Sequence, residues 1–209
     1  MDKTLVQNLQ RRFKLPLPGA QAQLKMTPNA RRFLNDIPKE AVPAGVLVLL
    51  FPKNDEWHIT LIERNTHQKD KHSGQIGFPG GKIEATDASY AAGALRETEE
   101  EVGIKRERIR MLGALTPLFI HVSNFVVHPF LGVLEDTPKF SRQVEVKSVL
   151  EIPVSDLLNP DYVKMKDLKV RPNITLVGVP YYDLAGATVW GATAMILSEF
   201  IEVIISSSR

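Results

Sequence analysis

Cysteine is absent from the 209 residues. Disulfides, thiolate zinc sites and cysteine nucleophiles are thereby excluded, and any metal must sit on oxygen or imidazole. An excess of charge of one sign is lacking too, since 26 Lys and Arg face 24 Asp and Glu for a formal net charge of +2. A dedicated nucleic-acid binder collects phosphates with a bulk positive field, so no nucleic-acid partner is expected. No apolar run reaches the ~20 residues of a membrane span, and no membrane partner is expected either. Met1 to Phe13 mixes charged residues with Leu5, Val6 and Leu9 and lacks the apolar block and cleavage site of a secretory signal. Ser206 to Arg209 carries no receptor-read address. The expected location is cytoplasmic.

What is present suits one ordinary domain with a modest extension. Apolar residues make up 44 % and charged residues 24 %, close to globular averages, which argues against disorder or a fibrous architecture. Leu5, Leu9 and Phe13 fall at helical spacing and predict an amphipathic helix, the start of an arm over residues 1–30 that packs on a domain spanning 31–209. That pattern also suits a homodimer contact. Ala44 to Phe51 and Trp57 to Ile62 are apolar, β-branched runs around a polar break and predict a hairpin. A polar segment from Arg64 to Ser73 and a glycine-rich turn from Gly74 to Gly81 follow. A helix is then predicted from about Ala88 to Val102, stopped by Gly103, with Asp87 or Ser89 as its N-cap. Further strands are expected at Met111–Leu115, Phe125–Leu134, Val144–Leu150, Ile174–Tyr181 and Thr188–Trp190, with a closing helix from Ala192 to Ile204. The simplest fold class is α/β: a mixed sheet covered by helices on its faces.

The segment that carries chemistry is Gly77-Phe-Pro-Gly-Gly-Lys-Ile-Glu84, then Asp87, then Leu95-Arg-Glu-Thr-Glu-Glu-Glu-Val-Gly-Ile104. On a helix Ala91, Leu95, Thr98 and Val102 form a buried stripe, which sends Glu97, Glu100 and Glu101 to the opposite side. Three carboxylates within about one turn repel one another, by a few tenths of a kcal/mol for each pair four apart. A hard divalent cation offsets that and also binds diphosphate oxygens, so the cluster reads as a platform for Mg²⁺ or Mn²⁺. Arg96 stands four residues before Glu100 and can pair with it. Gly80 and Gly81 let backbone approach metal and phosphate closely, which makes the Gly80 carbonyl a natural further ligand.

A Phe-Pro-Gly-Gly turn, an acidic helix start, Arg-Glu-x-x-Glu-Glu and a Gly terminator together resemble the Nudix box. The family fold this implies is an α/β/α sandwich, and the activity is metal-dependent pyrophosphohydrolysis, with Glu97, Glu100, Glu101 and Arg96 in the catalytic apparatus. The match departs at one place. Five residues separate Gly81 from Asp87, which stands where the box has the Glu of a structural salt bridge, and eight rather than seven separate Asp87 from Arg96.

The longer spacing resembles the coenzyme A pyrophosphatase branch. Arg64 followed after nine residues by Gly74-Gln-Ile-Gly-Phe-Pro-Gly-Gly81 is similar to that branch's upstream motif, though Asn65 follows Arg64 and Lys69 and Lys71 stand near the motif's second Arg. Pro117 to Phe130 and Val189 to Ala194 are similar to it as well. The resemblance implies a nucleotide substrate met by Arg64, Lys69, Lys71, Gly74, Gln75, Phe78, Gly80, Gly81 and Lys82. Either Lys could meet the 3′-phosphate of coenzyme A as a point charge. Glu97, Glu145 or Glu151 would accept a proton from water. ADP-ribose, dinucleoside polyphosphates and non-standard nucleoside triphosphates are the alternative substrates, and a nucleotide-sensing module without catalysis is the alternative class. An isomerase acting on prenyl diphosphates would want a cysteine-based site, which this chain lacks.

Overall fold

The computed structural model describes residues 4–27, 37–65, 74–171 and 173–207. In chain order the elements are helices α1 (Thr4–Arg12) and α2 (Ala20–Gln23), strands β1 (Val42–Lys53), β2 (Glu56–Arg64), β3 (Ile76–Gly77) and β4 (Gly80–Lys82), and helix α3 (Tyr90–Val102). There follow β5 (Arg110–Ala114), β6 (Leu118–Ile120), β7 (Phe125–Val133), β8 (Val146–Pro153), α4 (Val154–Leu158), β9 (Val163–Arg171), β10 (Ile174–Leu184), β11 (Ala187–Val189) and α5 (Gly191–Ser207).

The hairpin expected from the two apolar runs is β1 and β2. Asn54 and Asp55 both take positive φ, 50° and 61°, and close it as a two-residue turn whose twist matches the strands. β1 runs parallel to β7 from Val42 beside Phe125 to Leu50 beside Val133, so the sheet is mixed, in the order β3-β2-β1-β7-β5. β4, β6 and β8 add to β1, β7 and β2. Along β1 the side chains alternate: Leu47, Leu49 and Phe51 enter one core with Val102 of α3, while Val48 and Leu50 enter another with Leu197 and Phe200 of α5. Each such apolar side chain contributes about 1.5–3 kcal/mol by leaving water. Helices on both faces of a mixed sheet make the α/β/α architecture.

Two features depart from the sequence reading. Gly74 to Gly81 holds two short strands, β3 and β4, inside what reads as a turn. β9 is nearly all exposed on both faces, so Val163-Lys-Met-Lys-Asp-Leu-Lys-Val-Arg171 has no buried face to show as alternation. With β10 and β11 it forms a separate three-stranded sheet. The apolar stripe of α1, with Val6 and Leu9 buried, lies on α5 of the same chain.

One buried carboxylate gathers several of the bonds that tie the N-terminal segment to the domain. Glu199 of α5, fully buried, accepts from Gln23 Nε2 at 2.8 Å, Thr116 Oγ1 at 2.7 Å, and the amides of Gly19 and Thr116 at 3.2 Å. Replacing it leaves those buried donors unmatched. Glu199→Ala is expected to lower unfolding free energy by about 3 kcal/mol, read from urea denaturation. Tyr182, packed in the α5 core, has its phenol pushed up by burial to about 12 from the ordinary 10.0. The folded protein thus holds this proton while the unfolded chain releases it, so the stabilisation is complete below pH 10 and is lost as pH rises through about 12. Tyr182→Phe is expected to flatten that alkaline slope, worth about 3 kcal/mol at its limit.

Candidate active site

Helix α3 is defined at both ends by local chemistry. Ser89 is the N-cap, its Oγ accepting from the Ala92 amide at 3.1 Å, and Gly103 takes φ 72° and returns its N–H to the Glu99 carbonyl at 3.0 Å. The buried side of the helix is Gly93, Ala94, Thr98, Glu101 and Val102. This corrects the stripe of Ala91, Leu95, Thr98 and Val102, because the contact is marked by small residues rather than large apolar ones. A Cβ on Gly45 of β1 would lie 2.7 Å from the Tyr90 carbonyl, and one on Gly93 would lie 2.5 Å from Ile83 Cδ1. Glycine at these positions brings the helix against the strand.

The rotation changes what the three glutamates do. Glu101 is 5 % exposed, not solvent-facing, while Glu97 is half-buried and Glu100 stays exposed. Glu101 Oε2 accepts from the Gly80 amide at 2.8 Å, and its Oε1 lies 3.4 Å from Arg64 Nη1. Glu97 occupies the space beside Gly81, where an added Cβ would come within 2.5 Å of the Glu97 carboxyl carbon. Two carboxylates four residues apart therefore converge on the Gly80–Gly81 turn. Gly80 itself has φ 147°, and a Cβ there would sit 2.3 Å from the Gly45 carbonyl, so only glycine fits.

Burial pushes Glu101 up to about 7, against the pull of the Gly80 amide and Arg64, and the charges of Glu97 and Glu145 push in the same direction. Glu97 is raised by burial too, in spite of its bond to Arg96. Arg96 organises the remainder. It donates to Asp87 through Nε and Nη2 at 3.0 Å each, to Glu97 at 2.9 Å, to Glu100 at 3.1 Å and to the Lys82 carbonyl at 3.2 Å. Its own charge is locked in, chiefly by Asp87, whose carboxyl is correspondingly held below the ordinary range. The one-residue-longer spacing before Arg96 thus still delivers a bidentate bridge from Asp87, a partner that helical spacing from Glu100 alone does not disclose.

The other sequence candidates fall in different places. Phe78 is buried in the α5-side core and anchors the turn from within. Lys82 ends β4 with its side chain exposed, and Gly74 and Gln75 lead into β3. Lys69 and Lys71 lie outside the described residues. Glu145 sits in the exposed stretch before β8, its carbonyl accepting from the Asn65 amide at 2.9 Å. Glu151 is engaged by Lys53 at 2.9 Å, at the register of Thr60, roughly 13 Å along β2 from Arg64.

Among the described residues, no group of three or more His, Asp or Glu side chains is arranged as a metal site. Instead Arg96, Arg64 and the Gly80 amide hold the carboxylates. The donor set nevertheless fits a hard divalent ion: it is all oxygen, it is partly buried and mutually repelling, and it lies against a turn whose missing Cβ atoms leave room.

A mixed sheet between helices, with an acidic helix closing on a Gly-Gly turn, defines a hydrolase of phosphate anhydrides in the Nudix manner. The NUDIX domain model matches residues 41–173, and the chain belongs to that family. The uncharacterized Nudix hydrolase NudL of Enterobacter sp. (strain 638) is 36 % identical over 157 residues, 75 % of this chain and 79 % of that one. Its counterpart in Salmonella paratyphi B is 37 % identical over 142 residues, 68 % of this chain and 72 % of that one. Among solved structures, the Nudix hydrolase RenU from M. smegmatis shares the fold, with a TM-score of 0.53 at 13 % identity over 79 % of this chain and 87 % of that one. The protein is a Nudix pyrophosphohydrolase of nucleoside diphosphate derivatives, and hydrolases of this family generally need divalent metal ions. No helix among the described residues is long and apolar enough to cross a membrane.

Gly81→Ala isolates the Glu97 contact, because Gly81 does not take positive φ and the clash is with the end of a flexible side chain. The expected outcome is a melting temperature within about 3 °C of wild type with turnover reduced at least about tenfold. Unchanged turnover would remove Glu97 from the site.

Proposed function

We propose that this enzyme hydrolyses the diphosphate of coenzyme A or its derivatives to 4′-phosphopantetheine and adenosine 3′,5′-bisphosphate. The observation that carries the reading is the convergence of Glu97 and Glu101 on the Gly80–Gly81 turn, directly downstream of the Arg64 to Gly74 motif that resembles the coenzyme A branch. Glu97, Glu100, Glu101 and the Gly80 carbonyl hold Mg²⁺ or Mn²⁺ in this proposal. The ion, once bound, supplies positive charge for the phosphoryl oxygens and makes a neighbouring water more acidic.

The chain's own groups do the rest. Arg96 positions Glu97 and Glu100 and offsets their repulsion. Arg64 steadies the Glu101 carboxylate and lies beside the turn the diphosphate meets, so it serves both carboxylate and substrate. Lys69, Lys71 and Lys82 supply cationic contacts, and Gly74, Gln75, Phe78, Gly80 and Gly81 shape the approach. Glu97 and Glu145 are the candidates for receiving the water proton, since Glu145 couples electrostatically to both Glu97 and Glu101. Glu151 is committed to Lys53 and drops out. Residues 1–30 act as the N-terminal arm, of which α1 and α2 pack on α5.

Incubation with Mg²⁺ or Mn²⁺ and a panel of coenzyme A, acyl-coenzyme A, ADP-ribose and diadenosine polyphosphates tests the reading. Coenzyme A is expected to be cleaved fastest, with activity abolished by chelation. Cleavage of ADP-ribose in its place would overturn the substrate assignment, and cleavage of none would favour a nucleotide sensor. Glu101→Gln is expected to keep its fold and lose on the order of 100-fold or more in kcat.

A further inference from the structure

Strand β9, Val163-Lys-Met-Lys-Asp-Leu-Lys-Val-Arg171, is the open edge of the smaller sheet, which runs β11-β10-β9 among the described residues. With β10 it forms a ribbon that buries little of its own apolar surface. Met165 is 69 % exposed and Val177 75 %, and Val163, Val170 and Ile174 are exposed as well. A two-stranded ribbon is marginal in water by itself, and an uncovered edge strand with apolar side chains is a template for another strand. Lysines are the usual protection against such pairing. Here two of them turn away from the edge: Lys164 Nζ lies 2.5 Å from Asp183 Oδ2, and Lys166 Nζ donates to Thr188 Oγ1 at 2.6 Å and sits 4.5 Å from the centre of the Tyr181 ring. Both ammonium groups are thereby held over β10 and β11.

Which backbone groups the edge offers follows from a proline. Met165 stands opposite Pro180, which has no N–H to donate, so the two form a non-hydrogen-bonded pair and Met165 turns its N–H and C=O away from β10. Strand alternation then turns Val163, Met165, Asp167 and Lys169 to the free edge and leaves Lys164, Lys166 and Leu168 bonded to β10. The register shifts do not disturb this as far as Lys169, because the first puts its extra residue on β10, between Leu176 and Val179, and the second lies past Lys169.

Charge selects the strand that fits this edge. A second copy pairing with it antiparallel is related by a two-fold axis through the sheet, which sets each residue against one on the same face and leaves only registers centred on a residue. Centring on Lys164, Lys166, Asp167 or Lys169 sets that charge against its own copy. A centre at Met165 sets Lys164 against Lys166, and one at Val170 sets Lys169 against Arg171. Centring on Leu168 does the opposite: Asp167 meets Lys169 of the second copy, and Lys169 meets its Asp167, in pairs whose backbone groups already face the edge. Leu168 then meets Leu168 at the axis, and the exposed Met165 and Val170 fall inside the paired stretch, residues 165–171.

We infer that a second copy of this chain docks on β9, edge to edge and antiparallel about Leu168, and joins the two smaller sheets into one by continuing the ladder of backbone hydrogen bonds. The Val163 ends lie roughly 33 Å apart along the strands in that register, so the two bodies need not approach each other. Helix α1, whose apolar stripe lies on α5 of its own chain, takes no part in the contact. The interface holds whichever diphosphate the enzyme cleaves.

Light scattering of the full chain is expected to give twice its mass of 23.4 kDa. Lys169→Asp sets a carboxylate against Asp167 of the second copy and is expected to give a folded monomer, while the charge exchange Asp167→Lys with Lys169→Asp restores the dimer. Because the chain has no cysteine, an introduced thiol reports the register. Leu168→Cys faces its own copy, with Cα atoms about 4.5 Å apart in a non-hydrogen-bonded pair, and is expected to cross-link under mild oxidation. Lys166→Cys leaves its two thiols roughly 13 Å apart along the strands and is expected not to. A monomeric wild type overturns the proposal, and so does a dimer that survives Lys169→Asp or that cross-links through Lys166→Cys and not through Leu168→Cys. Should Leu168→Cys not fold, Lys169→Asp and the charge exchange decide, since both residues are exposed on β9.

Discussion

Burying the Glu101 carboxylate against the Gly80 amide is the constraint on which the remainder of the site depends. A carboxylate taken out of water costs several kcal/mol unless hydrogen bonds and opposite charge are supplied in return. Here one amide and one guanidinium supply them. The amide is available only because Gly80 takes a conformation closed to other residues, with its Cα against the Gly45 carbonyl. Gly45 in turn lets α3 approach β1, and the caps at Ser89 and Gly103 fix where that helix starts and stops. A position near neutrality for Glu101 is the residue of this balance: compensation is present but incomplete.

Arg96 solves the complementary problem on the outer side of the helix. Glu97 and Glu100 would repel one another, and Asp87 adds a third negative group nearby. A planar guanidinium with five N–H donors can satisfy all three and a carbonyl at once, which an ammonium cannot. The helix thus carries two electrostatic layers. The inner one, Glu101 with Arg64, is set by burial, and the outer one, Glu97 and Glu100 with Arg96, by pairing.

Much of this was legible in the chain before its coordinates. Two apolar, β-branched runs around the polar break from Lys53 to Glu56 disclosed the hairpin, and Gly103 disclosed the end of α3. The burial of Glu101 was not legible, because a run of glutamates reads as solvated unless the small residues Gly93 and Ala94 are taken as the packing face. The bridge from Asp87 to Arg96 was hidden by the extra residue between them, which helical periodicity cannot interpret. β3 and β4 were hidden by brevity, since two or three residues show no period. β9 was hidden for a different reason: a strand exposed on both sides leaves polar and apolar positions in no fixed alternation.

Strand β2 joins the two sides of the enzyme. Arg64 reaches the α3 face, where it meets Glu101, while the neighbouring Glu63 turns to the α5 face, where it accepts from Lys147 and Ser148. Adjacent residues on a strand must point to opposite faces, so this separation follows from the pleat alone. At this end β2 is clamped between β3 and β8, pairing Ile62 and Glu63 with one and with the other at once. A strand hydrogen-bonded on both edges has no freedom to slip, because a one-residue shift would exchange every side chain between faces. The spacing between the carboxylate cluster on one face and Glu63 on the other is consequently fixed by the sheet and not by loops.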